Sequence, residues 1–221
     1  PRAFFALDSF AHRGLFDGVT YVWEALERID EYLAAHLEPR IAGTVEEGAW
    51  VDGAVYLGPG AVVERGAWVQ GPAIIGAGSV VRHGAYVRGY CVVGERCVVG
   101  HATELKRAIM LDGSHAPHFN YVGDSILGAK VNLGAGTKLS NLKNDEGEVV
   151  VRTPDGPIRT GMRKLGAVLG DGVRTGCNCV TSPGTLVGPG SAVYANAVLR
   201  GVYPAASIIK LRQALETTPI A

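Results

Sequence analysis

The chain has 221 residues, 47% of them apolar and 19% charged, with 21 basic side chains balancing 21 acidic ones. That length holds one large or two small domains, and a net charge of zero leaves no electrostatic case for nucleic acid. No stretch approaches the roughly 18 uninterrupted apolar residues of a membrane span, and Pro1-Arg2-Ala3-Phe4 lacks the parts of a signal peptide, so the expected location is cytoplasmic.

From Asp17 to Leu37, apolar residues recur at helical spacing (Val22, Leu26, Ile29, Leu33, Leu37), with Asp17 placed to cap the start and Pro39 just past the end. This predicts one amphipathic helix in an N-terminal helical segment, residues 1–44. Twelve six-residue blocks follow over residues 45–116, with Val45, Val51, Leu57, Val63, Val69, Ile75, Val81, Val87, Val93, Val99, Leu105 and Leu111 at one shared position. Four residues after each comes a mostly small one, and only Ile109 and His115 are bulky there. A period of six fits neither a helix nor a simple strand; it suits a short strand and a turn repeated around a prism. The predicted fold is all-β, a solenoid of hexapeptide repeats whose aliphatic residues are buried only by stacking. Glycine, 31 residues in all, supplies permissive corners. Cys91 and Cys97 fall in the small inward slot as packing residues, and Cys177-x-Cys179 is a weak metal signal.

After an irregular stretch, Pro117 to Gly123, the period resumes at Leu127, Leu133 and Leu139, breaks for a polar insertion (about 143–164), and returns from Leu169 to Leu199. Three blocks to a coil predict about seven coils in a domain spanning 45–206, with a last strand at Ser207 to Arg212 inside a tail over 207–221. In the insertion, Glu148 to Arg152 and Ile158 to Thr160 flank Pro154-Asp155-Gly156-Pro157, which predicts a hairpin standing out from the prism. Solenoids usually place binding surfaces on such loops.

Residues 18 apart should lie one coil above another, about 4.8 Å away. Trp50, Trp68 and Tyr86 then form an outward aromatic column, expected to be covered by the N-terminal helix or a second subunit. Arg88 and Lys106 also share a column, and stacked cations call for an anion such as a phosphate unless both are simply solvated. His115 and His118 sit where the repeat pauses, as general-base candidates or ordinary surface histidines. Val131-Asn132-Leu133-Gly134-Ala135-Gly136-Thr137 offers backbone N–H groups suited to an oxyanion or a pantetheine amide, although it is also simply a glycine corner.

Four further pieces carry a resemblance: Glu104-Leu105-Lys106-Arg107-Ala108, Pro117 to Asp124, Val131 to Thr137 followed by Asn141, and Arg163-Lys164-Leu165-Gly166-Ala167. In order and spacing, residues from about 86 to 200 resemble the C-terminal acetyltransferase domain of the bacterial bifunctional enzyme that acetylates and then uridylylates glucosamine-1-phosphate. They are closer still to archaeal sugar-1-phosphate nucleotidylyltransferases with amino-sugar-1-phosphate acetyltransferase activity. The resemblance implies a left-handed parallel β-helix of the hexapeptide-repeat acyltransferase superfamily, a homotrimer with active sites shared between subunits, acetyl-CoA as co-substrate and no metal. It implies His118 as catalytic base, Arg88 and Lys106 as phosphate ligands, Tyr121, Asn132 and Asn141 as sugar or substrate contacts, and Ala135, Cys177 and Ala195 as positions near acetyl-CoA. Arg152, Arg159, Arg163 and Lys164 either meet the phosphates of CoA or are ordinary surface charge.

The chain departs from the family in lacking the N-terminal nucleotidyltransferase domain, so it is not expected to make a nucleotide sugar by itself. Cys177 replaces a serine, and a C-terminal arginine has no unambiguous counterpart among Lys210 to Arg212. Two alternatives remain open at this level. One is a zinc hydratase of the carbonic-anhydrase type, with metal held by His83, His101 and either His115 or His118. The other is a non-catalytic partner subunit of a sugar nucleotidyltransferase.

Overall fold

The computed structural model describes residues 1–220. Parallel strands of two to four residues stack into three faces around an apolar interior, each successive strand moving to the next face. A nine-stranded face runs from Arg40–Ile41 to Val202–Tyr203, and an eight-stranded one from Trp50–Asp52 to Val198–Leu199. The third face has five strands and then three, joined through Asn132, which bridges His115 and Arg174. The fold is a parallel β-helix, as expected, but with nine rungs on its longest face rather than about seven. The additional strands are Arg40–Ile41, His115–His118, Tyr121–Gly123, Val202–Tyr203 and Ile208–Ile209.

The two strands inside the supposedly irregular stretch were hidden by a one-residue slip. Strands pair 18 residues apart up to Val87↔Leu105, then 17 apart: Val93↔Met110, Val99↔Ala116, Leu105↔Val122, Leu127↔Met110. Met110 therefore fills the inward slot expected for Leu111. Ile109 and His115 are bulky because they point outward, level with Val92 and Val98. The small slot moves with the slip to Ser114 and Asn120, both buried.

The nine-stranded face is covered. Its outward residues Ile74, Val92, Ile109, Ile126, Val168 and Leu186 form a second apolar core with Phe5, Phe10, Leu15, Trp23, Leu26 and Ile29 from the N-terminal segment and with Val149 and Val151 from the insertion. The segment is not one helix from Asp17. It is a 3₁₀ turn at Arg13–Phe16 followed by short α-helices at Glu24–Glu27 (α1) and Ile29–His36 (α2). Gly18 takes φ +70° and breaks the helical run, and β-branched Val19 and Thr20 follow it. Glu24 Oε2 then accepts the N–H groups of Thr20 and Tyr21, satisfying donors ahead of α1. Asp171 accepts from Ala6 N–H and Ala129 N–H through its two carboxylate oxygens, and Arg107 reaches Asp30 and the Leu26 carbonyl, tying the segment to the coils.

The hairpin forms, with Val150–Thr153 antiparallel to Gly156–Arg159, but it does not stand out from the prism. Val149 and Val151 are fully buried against the covered face. The eight-stranded aromatic face is left open, with Trp50 57% and Trp68 41% exposed, so the N-terminal segment is not what covers that column. The third face presents Val62, Val80 and Val98 outward and is called the valine face below. Ile208–Ile209 is the expected last strand; Ala221, at the end of the tail, lies outside the described residues. Among the described residues no helix is long and apolar enough to cross a membrane.

Candidate functional site

The corner between the valine and aromatic faces stacks His83, His101 and His118 on successive coils. His101 pairs in register with His118, and the rings of His83 and His101 lie 5.6 Å apart and nearly parallel. The Nδ1 atoms of His83 and His101 sit 2.6 and 2.9 Å from the carbonyls of Arg65 and His83, one coil below each. The ring of His118 makes no hydrogen bond among the described residues; only its backbone N–H is engaged, by Asn120 Oδ1 at 3.1 Å. Asn120 is buried and donates to the carbonyls of Gly134 and Thr137, which fixes the turn where Phe119 takes φ +52°. Sequence reasoning passed over Asn120; its signal is its place in the small inward slot once the slip is allowed for.

The same corner continues upward. Gly136 N–H donates to the His118 carbonyl, Asn178 N–H to that of Ala135, and Asn196 N–H to that of Cys177, so Ala135, Cys177 and Ala195 climb above His118. Gly134 N–H is held by Thr175 Oγ1, whereas Ala135 N–H has no partner among the described residues. Cys177 is exposed and Cys179 buried, so the two thiols face opposite sides of the wall. Burial pushes the Cys179 thiol up, and that of Cys91 to about 12, which makes both inert. Among the described residues no group of three or more His, Cys, Asp or Glu is arranged to hold a metal.

Arg88 and Lys106 lie on adjacent strands at the far edge of the aromatic face, one above the other as expected. Each already has a carboxylate. Arg88 Nη1 is 2.7 Å from Glu104 Oε1, and Lys106 Nζ is 3.1 Å from Asp124 Oδ2. The anion that stacked cations call for is thus supplied by the protein, and the column by itself no longer argues for phosphate. The hydrogen bond from Glu104 raises the Arg88 pKa further. Asp124, 3% exposed, also accepts from Asn141 Nδ2. Tyr121 stands among them; burial first, then the charges of Glu104 and Asp124, push its phenol above the usual range. Glu104 and Asp124 went unnoticed in the sequence, although Glu104 sits two residues before Lys106 and so shares its outward side.

The candidate residues therefore fall into two groups. His118, Ala135, Cys177 and Ala195 hold one corner, with exposed Asn132 on the valine face; Arg88, Lys106, Tyr121 and Asn141 gather across the aromatic face. Three strand residues at about 3.3 Å each put roughly 10 Å between the His118 corner and the edge at Lys106. In the insertion, Arg159 pairs with Glu148 and Arg163 with Glu146.

The family described as the GMPPB C-terminal domain matches residues 69–201. Bifunctional protein GlmU of Methanococcus maripaludis strain C7 is 46% identical over 186 residues, covering 84% of this chain and 45% of that protein. The bifunctional sugar-1-phosphate nucleotidylyltransferase/acetyltransferase of Sulfurisphaera tokodaii is 44% identical over 98 residues, covering 44% of this chain and 24% of its own length. The chain thus spans less than half the length of these relatives. Among solved structures, the UDP-N-acetylglucosamine acyltransferase from Campylobacter jejuni aligns over 72% of this chain and 68% of its own, at 15% identity and a TM-score of 0.42. The matched span takes in both groups of candidate residues and more than half of the sequence, and the chain belongs to the family of the GMPPB C-terminal domain.

Proposed function

We propose that the chain is an acetyl-CoA-dependent N-acetyltransferase for an amino-sugar-1-phosphate of the glucosamine-1-phosphate kind, acting as a homotrimer with each site shared between subunits. One observation carries this reading: of the three stacked histidines His118 alone keeps its ring nitrogens free, and one coil above it Ala135 offers an unbonded backbone N–H. A base and an oxyanion donor on neighbouring rungs are what acyl transfer to an amine needs. The relatives' bifunctional names support the substrate class.

In this mechanism the sugar phosphate docks on Arg88 and Lys106, exchanging contacts with Glu104 and Asp124, while Tyr121, Asn132 and Asn141 orient the sugar. Acetyl-CoA lies along Ala135, Cys177 and Ala195. His118 takes a proton from the amine as its nitrogen attacks the thioester carbonyl, and Ala135 N–H donates to the oxyanion. Collapse of that intermediate breaks the C–S bond and releases CoA as its thiol. Base and oxyanion donor each supply on the order of 10² in rate. The roughly 10 Å between His118 and Lys106 within one chain favours a site in which one subunit supplies the imidazole and its neighbour the cations.

Thiol release from acetyl-CoA with glucosamine-1-phosphate tests the reading. His118→Ala should lower kcat by about 10² or more with little change in KM for acetyl-CoA. A variant as fast as the parent would remove His118 as the base, and no turnover by the parent would remove the reaction.

A further inference from the structure

Beside the last coils of the aromatic face, under the insertion hairpin, lies a cavity of about 470 Å³ whose lining includes Ser140, Lys143, Arg152, Ser182 and Arg200. It contains none of the residues given a catalytic, sugar or thioester role above. Ser140 and Ser182 come from successive coils, Ser140 N–H donating to the Thr181 carbonyl and Ser182 N–H to that of Leu199. Arg200 follows Leu199, which pairs with Thr181, so it stands one coil above Ser182. Arg152 arrives from the hairpin. Its carbonyl approaches Gly201 so closely that a Cβ there would sit 3.4 Å away, and Gly201 takes φ +90°, so a glycine lets hairpin and coil meet. Arg152 and Arg200 also border a second, shallower cavity together with Thr153 and Pro154, which places both side chains on one space.

The charge around this space is unbalanced. Lys143 is paired with Asp145 at 3.0 Å, Glu148 is taken by Arg159, and Glu146 by Arg163. Arg152 and Arg200 have no acidic partner among the described residues, in contrast to Arg88 and Lys106. Two guanidinium forks beside two hydroxyls, with every nearby carboxylate already committed, suit a multiply charged phosphate oxyanion.

We propose that this cavity is a second phosphate-binding site, with Arg152 and Arg200 as its charged ligands and Ser140 and Ser182 as hydroxyl donors. The insertion builds it by closing over the aromatic face's edge, and the site does not depend on the acetyl-transfer reading. The phosphate may come from either of two sources, the phosphates of CoA or a sugar phosphate.

Calorimetric titration of the full chain with inorganic pyrophosphate tests this. The parent should bind, more weakly as salt rises. Arg152→Ala and Arg200→Ala should each weaken binding by about tenfold or more, and the double variant should abolish it. His118→Ala should bind pyrophosphate as the parent does, so the loss of acetyl transfer and the loss of this site are separable. Displacement of pyrophosphate by CoA but not by dephospho-CoA would support the site and assign it to the 3′-phosphate; displacement by glucosamine-1-phosphate in an Arg88→Ala background would support it and assign it to the sugar phosphate. No binding by the parent, or equal binding by parent and double variant, would overturn the proposal.

Discussion

Thr181 occupies an inward slot between Leu139 and Leu199, and its hydroxyl is the one buried side-chain polar atom without a hydrogen-bond partner among the described residues. Thr175, in a neighbouring inward column, is different, because its hydroxyl meets that of Thr137 at 3.0 Å and accepts from Gly134 N–H. Thr181→Val should therefore raise stability by about 1 kcal/mol, whereas Thr175→Val should lower it by a similar amount, both read from the urea midpoint. The same logic separates the two ion pairs of the candidate site. Asp124 keeps 4% of its side-chain surface exposed and Lys106 25%, so Asp124→Asn should cost about 2 kcal/mol. Arg88 is 43% exposed, and Glu104→Gln should cost well under about 1 kcal/mol. The vertical register of Arg88 and Lys106 could be read from spacing because the coil is still 18 residues long there. Their carboxylates could not, since an ion pair depends on side-chain reach and not on period.

The N-terminal segment is held on the covered face by aromatic packing that includes one buried titratable group. His12 Nδ1 lies 3.1 Å from the Tyr32 hydroxyl, and its ring meets Phe10 and Tyr32 edge-on. Burial lowers its pKa below 6.5, with Asp112 opposing and His36 adding to the shift. Above 6.5 both folded and unfolded chains carry His12 neutral and it contributes no pH dependence. As pH falls below 6.5 the unfolded chain takes the proton first, so stability declines until the folded-state pKa is passed. Thermal unfolding followed by Trp23 fluorescence should fall in midpoint between about pH 7 and pH 5, and His12→Phe should flatten that decline. The surface under this segment was present in the sequence as a column, Tyr56, Ile74, Val92, Ile109, Ile126, Val168 and Leu186. It escaped notice because the coil shortens from 18 residues to 17 in its middle and the insertion then widens the gap to 42. The hairpin was legible from its turn and its strands, but its docking required knowing that this column existed.

At the scale of the whole molecule, the N-terminal segment and hairpin cover one face and leave the aromatic one open. Trp50, Trp68 and Tyr86 stack there in register, with Trp68 and Tyr86 ring centroids 4.9 Å apart, and at the other end Val198 is 71% exposed. Apolar surface of this extent on a rigid face is a contact waiting for a partner, since a monomer gains by burying it at about 25 cal/mol per Å². The split of the candidate site points the same way, because one sugar phosphate reaches both cations and imidazole only if a second copy closes the gap between corner and edge. The full chain should therefore sediment as an oligomer, and Trp50→Ser combined with Trp68→Ser should shift it towards the monomer while the circular dichroism of the solenoid is kept. Acetylation should fall with assembly in that variant and return as protein concentration is raised, because a site completed by a neighbour obeys mass action. A parent that sediments as a monomer, or a double variant that assembles as the parent does, would leave the aromatic column without this role and return the whole reaction to a single chain.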